Sequence, residues 1–143
     1  MRRPKNVITP THFSNFIAGL PLKLKVTLFG EAEIAQSSRQ GMYILQKNQI
    51  NGQQYYVQKG GLNGFWFIDT YSKWMLGPIQ KLGEDYGGIQ SFTMSPLNGK
   101  WNYFKDDQWI EASSNEIIIS AGNFDLKNIL AYSWEKSENL LIL

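Results

Sequence analysis

The chain contains no cysteine, which excludes disulfide frameworks and thiolate metal sites. It holds one histidine, His12. Any histidine base, triad partner or imidazole metal ligand would have to be that residue, and no nearby Asp supports it. His12 therefore reads as a structural or surface residue. There is no Asn-x-Ser/Thr sequon. Neither sign of charge dominates: 14 basic and 12 acidic residues leave a net +2, too mild an excess to suggest a nucleic-acid partner. Long apolar runs are missing as well. Nothing approaches the ~18 apolar residues of a membrane span. The stretch from Phe13 to Leu20 is too short for a secretory core and is broken by Ser14, Asn15 and Gly19. Early basic residues (Arg2, Arg3, Lys5) hint at a presequence, but Pro4 and Pro10 interrupt any amphipathic helix there. These absences lead us to expect a soluble intracellular protein with no membrane span, no cofactor and no metal.

What is abundant is aromatic. Five Trp, seven Tyr and eight Phe make up 14% of the 143 residues, alongside 13 glycines. Aromatics favour strands, cores and binding surfaces alike. A chain of this length buries roughly 70% of its unfolded surface as one domain and needs no covalent staple. Residues 1–20 read as an irregular lead-in, with a short helix after Pro10 as its one regular feature. Residues 21–143 read as a single β-rich domain.

Leu22, Leu24, Val26 and Leu28 alternate with Lys23, Lys25 and Thr27. That period of two is a strand with one wet face. Residues 30–40 are polar with a short apolar interlude, and read as a weak strand or a loop. Asn51-Gly52 between Met42–Lys47 and Gln53–Gln58 is a hairpin signal, because both turn residues tolerate the positive φ of a type I′ turn. Phe65–Ile68 and Trp74–Leu76 flank a turn at Asp69–Ser72, and Trp101–Phe104 and Gln108–Glu111 flank one at Asp106-Asp107. A further strand is expected around Ser91–Met94. Ile117–Ile119 reads as a strand buried on both faces. Residues 124–143 fit either a helix or a hairpin. The sum is an all-β fold of antiparallel hairpins in a meander, forming a small sandwich, barrel or stacked sheet.

Self-comparison finds an internal repeat. Leu62-Asn63-Gly64-Phe65-Trp66 matches Leu97-Asn98-Gly99-Lys100-Trp101 at an offset of 35, and a second Trp follows eight residues later in both, at Trp74 and Trp109. The units span 62–76 and 97–111. Each reads as one hairpin carrying two indoles.

Gly41-Met42-Tyr43, Asn51-Gly52 with Tyr55-Tyr56, Trp66-Phe67-Ile68, Lys73-Trp74-Met75-Leu76-Gly77, Pro96 and Trp101 together form a loose aromatic pattern. Over residues 41–119 this resembles the poorly characterised Trp-rich β modules of large eukaryotic proteins. The resemblance implies an all-β fold and carries no activity.

Chemistry is harder to place. Glu31 with Glu33, Glu84-Asp85 and Asp106-Asp107 are the paired carboxylates, and turn chemistry accounts for the last two. The spaced ligand pattern of a calcium loop is absent. Gly60-Gly61 and Gly87-Gly88 lack the Gly-Lys-Ser/Thr of a phosphate loop. The aromatics remain. Trp66 and Trp74 have apolar neighbours and read as core. Trp101 and Trp109 have polar neighbours, Trp101 and Tyr103 share one strand face, and Tyr71 sits at a turn tip. Trp101, Trp109, Tyr71 and Tyr103 are therefore the candidate binding residues. The expected role is a non-enzymatic binding or assembly module, first for a protein partner through aromatic surface or a sheet edge, with self-association as one form of it. The alternatives are a glycan stacked on exposed rings, or an apolar ligand inside a small barrel.

Overall fold

The computed structural model describes residues 19–97 and 99–122. His12, Trp134, Asn98, the lead-in helix and the 124–143 segment lie outside the described residues. The architecture is all-β and antiparallel. The strands are β1 (Lys23–Leu28), β2 (Gly41–Ile50), β3 (Gln53–Gln58), β4 (Asn63–Ile68), β5 (Lys73–Pro78), β6 (Ile89–Ser91), β7 (Asn102–Lys105), β8 (Gln108–Glu111) and β9 (Ile117–Ala121). They form one curled sheet in the order β8-β7-β6-β5-β4-β3-β2-β1-β9. The chain thus meanders from β1 to β8, and β9 then returns to pair antiparallel with β1, from Leu28↔Ile117 to Leu24↔Ala121. Both edge strands, β8 and β9, are consecutive in sequence. The strap between them, residues 112–116, crosses the open side of the curl.

Side-chain alternation sets the two faces. The concave face collects Leu24, Val26, Leu28, Tyr43, Tyr56, Phe65, Phe67, Trp74, Leu76 and Ile89, all buried. Their rings meet edge-on or tilted: Phe65 lies 5.4 Å from Trp74, 5.8 Å from Trp101 and 6.1 Å from both Tyr43 and Tyr56, centroid to centroid. Such contacts add to the area term that holds the sheet curled. The polar tips are satisfied. Tyr43 and Tyr56 donate to the carbonyls of Arg39 and Pro21, at 2.6 and 2.7 Å, and Trp74 Nε1 donates to the Met94 carbonyl at 2.8 Å.

β4 and β5 are buried on both faces. Their convex side carries Trp66, Ile68 and Met75 beneath Ile50, Tyr55 and Leu82. Residues 79–88 fold back over this side, where Trp66 Nε1 donates to the Glu84 carbonyl at 3.0 Å. Close approach demands glycine here: a Cβ on Gly77 would lie 2.7 Å from the Gly87 Cα.

Three expectations need correction. Residues 30–40 hold neither strand nor loop but a helix, α1 (Gly30–Gln36), and a 3₁₀ turn (Ser37–Arg39). α1 has no side-chain cap of its own. Glu116, from the strap, takes that part: its carboxylate accepts from the Ala32 N–H at 3.4 Å and its carbonyl accepts from the Phe29 N–H at 2.8 Å. Ile117–Ile119 is not buried on both faces. β9 is an edge strand, and Ile118 is exposed between buried Ile117 and Ile119. The strand expected at Ser91–Met94 ends at Ser91, and Phe92 and Met94 are exposed.

Both repeat units form hairpins, β4–β5 and β7–β8, but in different registers. Phe67 opposes Trp74 across a four-residue turn, whereas Phe104 opposes Trp109 across the two-residue Asp106-Asp107 turn. The indoles also exchange faces, because β3 pairs concave Tyr56 with Phe65 and turns Trp66 outward, whereas β6 pairs concave Ile89 with Tyr103 and keeps Trp101 inward. Trp66 lies convex and Trp74 concave, while Trp101 packs in the concave core and Trp109 lies outside it.

Candidate functional site

α1 and its 3₁₀ turn connect β1 to β2 across one rim of the curled sheet. That rim carries the ends of β1, β3, β5 and β7 and the starts of the strands between them. Arg39 sits at its centre. Its Nε donates to Gln36 Oε1 at 3.1 Å, and an Nη donates to Asn63 Oδ1. Both acceptors are themselves anchored. Gln36 Nε2 donates to the Phe104 carbonyl at 2.7 Å, and Asn63 Nδ2 donates to the Ser38 carbonyl and to Gln58 Oε1, each at 2.8 Å. Burial pulls the Arg39 guanidinium below its ordinary range, with the phenols of Tyr43 and Tyr86 acting the other way.

A cleft opens on each side of Arg39. The larger, about 530 Å³, is lined by Gly60, Gly61, Leu62, Pro78 and Ile79, among others, and has no aromatic wall. The smaller, about 300 Å³, has Gln36 and Arg39 on one side and Tyr86, Phe104 and Trp109 on the other. Gly87 and Gly88 form its floor. A Cβ on Gly88 would lie 1.9 Å from Gln36 Oε1, so any larger residue there would have to displace the glutamine that holds Arg39. The combination of flat rings with fixed polar donors in a concave site favours this smaller cleft as the candidate.

Trp109 belongs to β8, whose outer backbone edge has no partner strand among the described residues. The residue is 37% exposed, and its ring stands edge-on to Phe104 at 5.3 Å. Tyr86 is exposed, with Lys81 Nζ 5.2 Å from its ring centroid. Asp85 is the one acidic residue of the lining, and it pairs with Lys73 at 2.7 Å. No carboxylate reaches Arg39 among the described residues.

Comparison with known proteins yields no match. No family model, curated protein or solved structure is significantly similar to this chain.

The four aromatic candidates are not brought together. Trp109 is at the cleft. Trp101 and Tyr103 are 6% and 3% exposed and pack in the concave core, so neither presents a stacking face. Burial pushes the Tyr103 phenol up, assisted by the Glu116 carboxylate. Tyr71 lies at the β4–β5 tip, on the opposite rim. There it shares the Lys73 ammonium with Phe92: Nζ stands 5.4 Å from the Tyr71 centroid and 5.2 Å from that of Phe92. Lys73 also donates to Gln90 Oε1 at 2.7 Å, so this buried cation is fully occupied.

Sequence reasoning missed Arg39, Gln36 and Tyr86. A lone arginine in a polar stretch gives no signal. The one available hint was Gly87-Gly88, which marks a close backbone approach. No group of three or more His, Cys, Asp or Glu is placed to hold a metal ion among the described residues. No helix among them is long and apolar enough to cross a membrane.

Proposed function

We propose that this chain is a non-enzymatic binding module that recognises a protein partner at the β8 edge and the cleft beside it. One observation carries this reading: an exposed indole, Trp109, projects from a strand whose outer edge has no partner among the described residues, at the lip of a concave site. An open edge offers main-chain hydrogen bonds to an added strand, and the cleft offers a pocket for one of its side chains. Aromatic and arginine anchors are the residue types that dominate interface energetics.

The glycan reading now rests on Tyr71 and Phe92, two exposed rings held about one ammonium on the far rim. The apolar-ligand reading finds less support, because Tyr43, Tyr56, Phe65, Trp74 and Trp101 occupy the concave side.

Peptide phage display on the full chain, followed by binding of every selected peptide to Trp109→Ala and Tyr71→Ala, tests the proposal. We expect selected peptides to lose binding in Trp109→Ala and to retain it in Tyr71→Ala. Peptides indifferent to Trp109 sink the reading. A glycan-array signal abolished by Tyr71→Ala, with no peptide selected, moves the function to carbohydrate.

A further inference from the structure

Resting on that interaction reading, we propose that the cleft is a carboxylate-recognition site, in which Arg39 receives an acidic group of the partner peptide while an apolar side chain packs on Trp109. Three observations converge. The first is the spending of the guanidinium. Arginine carries five N–H donors in a fixed fork and stays charged in proteins. Arg39 commits Nε to Gln36 and one Nη to Asn63, both neutral acceptors, and forms no ion pair among the described residues. Its remaining donors are not sealed in protein, since no buried side-chain nitrogen of the described residues lacks a partner.

The second is rigidity. Gln36 is fixed by the Phe104 carbonyl, and Asn63 by Ser38 and Gln58. A guanidinium so held loses little rotamer freedom when a ligand docks, which is what a pre-arranged fork contributes to recognition. A partly buried cation with no counter-charge is also a poor stabiliser of its own fold, because desolvation opposes it.

The third is the composition of the walls. The only acidic lining residue among the described residues, Asp85, is neutralised by Lys73, so the cleft keeps a net positive centre. Charge-assisted N–H···O⁻ bonds are roughly twice as strong as neutral ones, and Arg-carboxylate pairs are often two-pronged. Trp109, Phe104 and Tyr86 supply the apolar wall beside that centre. The ligand class is therefore a carboxylate adjacent to an aromatic or aliphatic group: an acidic side chain in an apolar context, or a free C-terminus following an apolar residue.

The test uses the ¹⁵N-labelled full chain and three small probes. Phenylacetate carries both features, phenylacetamide has the ring without the charge, and glucuronate has the charge on a sugar. We expect phenylacetate to shift both the Arg39 Nε–H and the Trp109 indole N–H resonances, and phenylacetamide to leave Arg39 unmoved. Arg39→Lys keeps the charge but loses the fork, and should weaken phenylacetate about tenfold. If that variant does not fold, the acid-amide contrast on the wild type decides alone. Equal shifts from acid and amide overturn the inference, as does no shift at Arg39 with any probe. Glucuronate binding more tightly than phenylacetate overturns the protein source in favour of an acidic glycan. Phage-selected peptides that need Trp109 but contain no Asp, Glu or free C-terminus remove this inference and leave the interaction reading standing.

Discussion

Replacing the two tryptophans of the second hairpin should have sharply unequal effects, although sequence spacing makes them partners. Trp101 is 6% exposed and Trp109 37%. A tryptophan buries roughly 200 Å², so the difference in exposure amounts to about 60 Å², or about 1.5 kcal/mol at ~25 cal/mol per Å². Trp101 is also enclosed, with Phe65 at 5.8 Å, so its removal leaves a cavity that Trp109 would not. We therefore expect Trp101→Ala to cost about 3–5 kcal/mol and Trp109→Ala about 1–2 kcal/mol. Urea unfolding followed by far-ultraviolet circular dichroism measures both, and acrylamide quenching of Trp101→Phe and Trp109→Phe gives an independent reading. The remaining fluorescence should become less quenchable in Trp109→Phe and more quenchable in Trp101→Phe. Equal destabilisation, or an easily quenched Trp101, would refute the assignment of the two indoles to opposite faces.

Three further outcomes follow from local geometry. Asp106 and Asp107 both hold positive φ, 51° and 61°, in the same turn geometry that Asn51-Gly52 makes with ease. Relief of about 1–2 kcal/mol of left-handed strain, less about 0.4–1 for the freer unfolded glycine, makes Asp106→Asn with Asp107→Gly stabilising by about 0.5–1 kcal/mol; a lower melting temperature speaks against a type I′ turn there. Glu116 is held below the usual carboxylate range chiefly by the Ser113 N–H, at 2.8 Å. Its contribution is present above the unfolded value of about 4.3 and is lost as pH falls through the depressed folded value. Glu116→Gln should cost about 0.5–1 kcal/mol at pH 7 and progressively less as pH falls through that depressed value, so a cost independent of pH in urea titrations counts against the cap. Burial pushes the Tyr43 and Tyr56 phenols well above their ordinary value. The stability this represents is full below about pH 10 and drains away as pH rises toward the folded values. Phenolate absorbance from these two tyrosines should appear together with unfolding, and its appearance in the folded protein would contradict their burial.

The fold was legible where local chemistry decides it. Alternation from Leu22 to Leu28 located β1 and its faces, and Asn51-Gly52 fixed the β2–β3 hairpin. What escaped was set over distance. α1 buries only Ala32 and takes its cap from Glu116, 84 positions away, so the helix-favouring Glu31, Ala32, Glu33 and Ala35 lacked the apolar stripe and local cap that announce a helix. Ile117–Ile119 looked doubly buried because a β-branched run does not record that, among the described residues, β9 closes against β1 alone. The candidate surface was half legible. Polar neighbours marked Trp101 and Trp109 alike, but the pairing of Tyr103 with Ile89 turns Trp101 into the concave core and leaves Trp109 on the other face. Arg39 was invisible, since its meaning comes from Gln36, Asn63 and Trp109, which only the folded rim assembles.

The return of β9 to β1 has a consequence for how the chain is made. Every pairing from β1 to β8 joins neighbours in sequence, so hairpins can form as the chain lengthens. β1 is different. It emerges first, and one of its edges waits for residues 117–121, the last strand of the described sheet. Until they arrive, Leu24, Val26 and Leu28 line an unguarded template that any extended segment could join. A nascent chain halted within the 112–116 strap would carry that open edge along with an uncapped α1. A chain ending within the strap should therefore aggregate more readily than one that includes β9, whose pairing closes that edge.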